Sequence, residues 1–175
     1  MRKSTPVLFC TSLLIGAAGL LPAQEKRASP HETTSATIGG AKVTIEYGRP
    51  VKKGRAIFGG LVPWDKVWRA GADEATMLTT TADLMIGDVH VPKGSYSLFT
   101  IPGESKWTLI VNKVAKQWGA YNFDQKQDLG RTAMKVASGP VVEQFTISID
   151  AQGERKGTLK MAWDQTVATV PIMVH

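Results

Sequence analysis

Arg69, Asp73 and Glu74 fall within six residues in the run KVWRAGADEAT, close enough for a loop to gather them into one site. An arginine beside two carboxylates supports two kinds of chemistry. Asp73 or Glu74 would act as the acid–base group of a small hydrolase or lyase while Arg69 steadies developing negative charge, or the guanidinium would capture an anion. The same residue types also brace loops, since a guanidinium bonds carboxylates and backbone carbonyls alike. Arg49 and Arg55, beside Pro50 and Gly54, read in the same two ways: as loop ties, or as contacts for a phosphate or carboxylate.

Aromatic rings are the second resource. Trp64, Trp68, Trp118 and Tyr121 fall in irregular stretches, whereas Trp107 and Trp163 fall in strand patterns where core burial accounts for them. Flat rings near Asp124 and the arginines suit a sugar, whose C–H faces stack and whose hydroxyls need polar partners. The candidate ligand contacts are therefore Arg49, Arg69, Trp68, Trp118, Tyr121 and Asp124. The alternative for Trp68 and Trp118 is that they plug the ends of the fold.

Other chemistries lack their residues. His31, His90 and His175 are far apart, with no H-x-H or H-E-x-x-H spacing, so neither a metal nor a cofactor is expected. Gly39-Gly40 and Gly59-Gly60 do not sit between a strand and a helix with a following Lys-Ser/Thr, and no G-x-S-x-G elbow is present.

Two long connections must position the candidates, one from Tyr47 to Thr76 and one from Val114 to Arg131. The first is punctuated by glycines that permit φ > 0 and by Pro50 and Pro63, so it is expected to hold one shape. Around both loops the chain alternates with period two. Ala36 and Ile38, then Gly39-Gly40, then Val43, Ile45 and Tyr47 predict a hairpin, with Thr44 and Glu46 on the other face. Leu84–Ile86 and Val89–Val91 flank Gly87-Asp88, and Tyr96–Ile101 leads by Pro102-Gly103 into Trp107–Asn112, where residues 107, 109 and 111 are the inward set. Further strands are expected at Thr132–Val136, Phe145–Ile149, Thr158–Trp163 and Val167–Val174, with Pro171 marking an edge or bulge. Short helices fit only Asp65–Ala70 and Val114–Trp118. The pattern predicts an all-β fold, an antiparallel β-sandwich or open barrel of jelly-roll type with two long irregular loops.

The chain of 175 residues suits one domain, with 43% hydrophobic and 21% charged residues. Residues 1–23 read as a signal peptide: Arg2 and Lys3, an apolar run from Val7 to Leu21, then Pro22-Ala23. Residues 24–33 read as a flexible spacer and residues 34–175 as the domain. The single cysteine, Cys10, lies in the leader, which leaves the exported chain without thiol or disulfide. A periplasmic or secreted location follows, with membrane contact only through an uncleaved leader. Of the net charge of +6, Arg2 and Lys3 belong to the leader, and the remainder forms no long basic run, so no nucleic-acid partner is expected.

YGRP, then KGR, IFGGLVPW, KVWRAGADEAT, GSYSLFTIP, WTLIVNK and QWGAYNFD follow one another in a fixed order. In these motifs the chain resembles the bacterial family catalogued as domain of unknown function 2911, over nearly all of the exported part. The resemblance implies an exported or envelope-associated protein and brings no catalytic residues with it. The expected function is a non-catalytic envelope binding module for a carbohydrate-like or anionic ligand. The alternatives are the Glu74/Asp73 hydrolase or lyase and a structural or protein-interaction module using the Pro171 strand or the loop aromatics.

Overall fold

The computed structural model describes residues 29–175. The expected leader, and the expected spacer as far as residue 28, lie outside them. The last spacer residues, His31 to Thr33, belong instead to the first strand, because pairing with the following strand carries it back to His31 opposite Gly48.

Strand β1 (His31–Ile38) turns through Gly39 and Gly40 into β2 (Ala41–Gly48). Both glycines have positive φ, 54° and 79°, which makes a two-residue turn whose twist matches the strands it joins. Val43, Ile45 and Tyr47 are buried, while Glu46 on the opposite face is exposed. After the first long connection come β3 (Thr76–Thr80), the hairpin of β4 (Leu84–Ile86) and β5 (Val89–Val91), β6 (Gly94–Ile101) and β7 (Trp107–Asn112). The second connection leads to β8 (Asp128–Gln152) and β9 (Lys156–Val174).

The result is all-β: one antiparallel nine-stranded sheet in the order β1-β2-β3-β6-β7-β8-β9-β4-β5, open at both edges. Strand β8 is its corner. Its first residues pair with β7 as far as Met134, and from Lys135 onward it pairs with β9. The inward residues of the two halves then meet in one core, with Val43, Ile45, Leu78 and Leu109 in the same cluster as Phe145, Leu159, Met161 and Ile172. Tyr47 ties the halves across the core. Its hydroxyl accepts from Ile147 N at 3.0 Å and faces Ile147 O at 3.4 Å, and burial pushes the phenol pKa up from 10.0.

Several local expectations change. The four strands expected after residue 131 are two long ones, because the interruption at Gly139-Pro140 is absorbed as register irregularities between Ser138 and Thr146. Pro171 is not at an edge. It lies between Thr169, which pairs with β8, and Ile172, which pairs with β4, so its missing N–H falls where β9 changes partner. Neither expected helix forms: Trp68 bridges Thr100 and Trp118 bridges Glu74, and among the described residues the one helical element is the 3-10 turn Gln125–Gln127. Strand β7 is also buried on both faces. Ile110 joins Ala75 and Phe99 in a second small core beneath Ala120 and Phe123, so both long loops lie over the outer face of β6 and β7.

Candidate functional site

The first loop is built from backbone contacts that only small residues allow. A side chain on Gly48 would lie 2.2 Å from the carbonyl oxygen of Ala72, and Ala72 N donates to Gly48 O at 3.3 Å. Thr76 holds the other end, its hydroxyl donating to Ala70 O at 2.6 Å and its N–H to Arg69 O at 3.1 Å. Within this clamp Ala70 and Asp73 take positive φ, 51° and 61°, a conformation costly for non-glycine residues. The two turns set the directions of Arg69, Asp73 and Glu74.

Arg69 and Asp73 line a cavity of about 490 Å3. Its walls also carry Lys53, Arg55 and Lys66, and Trp68 and Trp163 contribute apolar surface. Arg55 is engaged by the loop itself, donating to Lys52 O and Val51 O. Arg69 is different. Its Nε is buried without a hydrogen-bond partner, and none of its nitrogens donates to a described residue.

Glu74 faces the other way. With His31, Glu46, Met77, Lys116 and Trp118 it lines a second cavity of about 440 Å3. His31 Nε2 lies 3.0 Å from Glu74 Oε2 and 3.6 Å from Asp73 Oδ2, so the imidazole stands at the ridge between the cavities. The expected grouping of Arg69 with both carboxylates is therefore split: Asp73 shares the cavity of Arg69, and the turn at Asp73, with its φ of 61°, sends Glu74 to the other. His31 escaped the sequence reading because it was placed in a spacer. Residues 31–34 are all polar, so no apolar period marks them as strand, and only the pairing of β1 with β2 brings His31 to the site.

The two loops meet. Ala75 N donates to Gln117 O at 2.9 Å and Gly119 N to Asp73 O at 3.0 Å, on either side of the Glu74–Trp118 bridge. Asn112 anchors the second loop with every polar position used: Nδ2 donates to Asp124 O and Asp128 Oδ1, and Oδ1 accepts from Val114 N and Gln117 Nε2. It too was missed, as an ordinary strand residue.

The remaining candidates scatter. Arg49 braces: Nε donates to Phe145 O at 3.0 Å, Nη2 to Thr146 Oγ1 at 2.8 Å, and Nη1 pairs with Glu32. Trp68 is 8% exposed and packs among Phe58, Trp107, Phe145 and Trp163, its Nε1 donating to Gly71 O. Trp118 is 50% exposed on the second cavity. Tyr121 is 84% exposed and lines neither cavity, and the Asp124 carboxylate caps the 3-10 turn through Lys126 N.

A family model described as protein of unknown function (DUF2911) matches residues 29–172, from the first described residue to Ile172, within the stretch of β9 that pairs with β4. The chain belongs to this family. No curated protein and no solved structure matches it. Both cavities of this DUF2911 protein lie wholly within the matched span. Among its described residues no group of three histidine, cysteine, aspartate or glutamate side chains is arranged to hold a metal ion, and no helix is long and apolar enough to cross a membrane.

Proposed function

We propose that this protein is an exported envelope binding module whose first cavity takes a small anionic ligand. One observation carries the reading: Arg69 lines that cavity, yet none of its nitrogens donates to a described residue. A guanidinium with unmatched donors is open to a ligand oxygen, and a hydrogen bond to a charged group is worth about 1.5–3 kcal/mol. Lys53 and Lys66 on the same walls add positive charge that makes no ion pair with described residues, against the single carboxylate of Asp73. The binding reading is favoured over hydrolysis by Glu74 because Arg69 and Glu74 line different cavities, which separates the charge stabiliser from that acid–base group; Asp73 stays beside Arg69 in the first cavity. The leader composition at residues 1–23 supports a periplasmic or secreted site of action.

Titration with pyrophosphate and citrate, followed by calorimetry, tests this. Saturable binding is expected, weakened by roughly 10- to 100-fold in Arg69→Gln, the worth of a charge-assisted hydrogen bond. Equal binding by the variant, or none by the native protein, refutes the reading.

A further inference from the structure

The second cavity differs from the first in chemistry, and nothing in the anion reading uses it. Its dominant feature is an exposed aromatic ring carried on a backbone that is held in place. Trp118 is 50% exposed, yet its backbone is bridged to Glu74 and held on both sides by the Ala75–Gln117 and Gly119–Asp73 hydrogen bonds. A large ring presented to water by a rigid ladder loses little conformational entropy when something stacks on it. The buried tryptophans offer no such face: Trp68, Trp107 and Trp163 are at most 8% exposed.

Around the ring stand groups of mixed sign and mixed hydrogen-bonding sense. Glu46 projects from the outer face of β2, opposite Met77 of β3, and Glu74 reaches the same cavity beside His31. Lys116 adds a donor. The exposed Glu46 carboxylate disfavours an anion, and a purely apolar ligand would desolvate the polar groups of the cavity at a cost. A pyranose satisfies both demands. Its C–H face stacks on an indole, and its hydroxyls donate to carboxylates and accept from an ammonium or imidazole N–H. About 440 Å3 lies within the range of small-molecule sites, roughly 300–1,000 Å3.

We propose that the second cavity is a saccharide-binding site, with Trp118 as the stacking platform and Glu46, Glu74 and His31 as the hydroxyl partners. The site is separate from the anion cavity and stands or falls independently of it. Asp73 and His31 form the ridge between the two, and the bound sugar lies on the His31 side.

The test uses the purified protein with glucose, N-acetylglucosamine, cellobiose and chitobiose as probes. Saturation-transfer NMR is expected to mark ring C–H protons of at least one of them. The same sugar should saturably protect the protein fluorescence from acrylamide, because Trp118 is the tryptophan most open to the quencher. Trp118→Ala should weaken binding by roughly tenfold or more, and Trp118→Phe should retain part of it. Arg69→Gln and saturating pyrophosphate should leave it unchanged, which separates this site from the anion reading. Should Trp118→Ala lower the melting temperature, Glu46→Ala carries the test, since Glu46 is exposed on β2 and its loss should weaken binding several-fold without changing the melt. The proposal is overturned if none of the sugars transfers saturation, if both variants bind as tightly as the native protein, or if pyrophosphate displaces the sugar.

Discussion

Arg49 and Trp68 are tied into the fold while Arg69 and Trp118 line two separate cavities, and the same two residue types behave oppositely in the two pairs. Arg49 donates to Phe145 O and Thr146 Oγ1 and pairs with Glu32, while Arg69 donates to no described residue. Trp68 has its ring in the core and its N–H on Gly71 O, while Trp118 stands half exposed on a cavity. A side chain whose donors are already matched is structure. One held in place with its donor or its face unmatched is available to a ligand.

That contrast is open to attack by substitution, beginning with the largest effect. Trp68→Ala removes a ring packed against Phe58, Trp107, Phe145 and Trp163 and should cost about 3–5 kcal/mol in denaturant unfolding. A cost near that of a surface residue would mean that Trp68 is no core ring. Arg49→Ala should follow at about 2–3 kcal/mol, chiefly from the carbonyl and hydroxyl partners, because the half-exposed pair with Glu32 contributes little.

Tyr47→Phe leaves Ile147 N without its acceptor in the core and should cost about 1–2 kcal/mol. It also has a pH signature. Burial raises the folded phenol pKa above its unfolded value of 10.0, so above pH 10 the unfolded chain holds fewer protons than the folded one. The stabilisation is complete below pH 10 and is lost as pH rises further. Native protein should therefore lose stability as pH rises above 10 more steeply than Tyr47→Phe, with Tyr96, raised by burial and by Asp83, supplying the slope that remains. Parallel pH curves would remove Tyr47 from the account. The smallest stability effects belong to Arg69→Gln and Trp118→Ala, each within roughly 0.5 kcal/mol of native, although both should abolish or weaken binding. A large loss of stability from either would erase the distinction between the two pairs.

The fold was readable wherever period and turn chemistry agreed. Gly39-Gly40 between alternating runs specified the β1–β2 register, and the inward set Trp107, Leu109 and Val111 is buried as the alternation required. Ile110 was not readable in that way, since its burial depends on loops packing over the outer face of β7. Gly139-Pro140 looked like the end of a strand, but the partner strand absorbed it as an irregularity. At the site, the sequence brought Arg69, Asp73 and Glu74 together by proximity. Positive φ at Ala70 and Asp73 turned them toward two cavities.

By itself the sequence determined the all-β class, the hairpin turns, the two irregular connections and the family, because these rest on local period, on glycine and proline geometry and on motifs in order. Tertiary structure alone decided that β8 is the corner of the sheet, that His31 joins the Asp73–Glu74 ridge, and which arginine braces and which faces a cavity. The physical reason is that hydrogen-bond partners such as Phe145 for Arg49, or Gln117 for Ala75, lie far along the chain. No local pattern records whether a distant carbonyl will arrive to satisfy a donor.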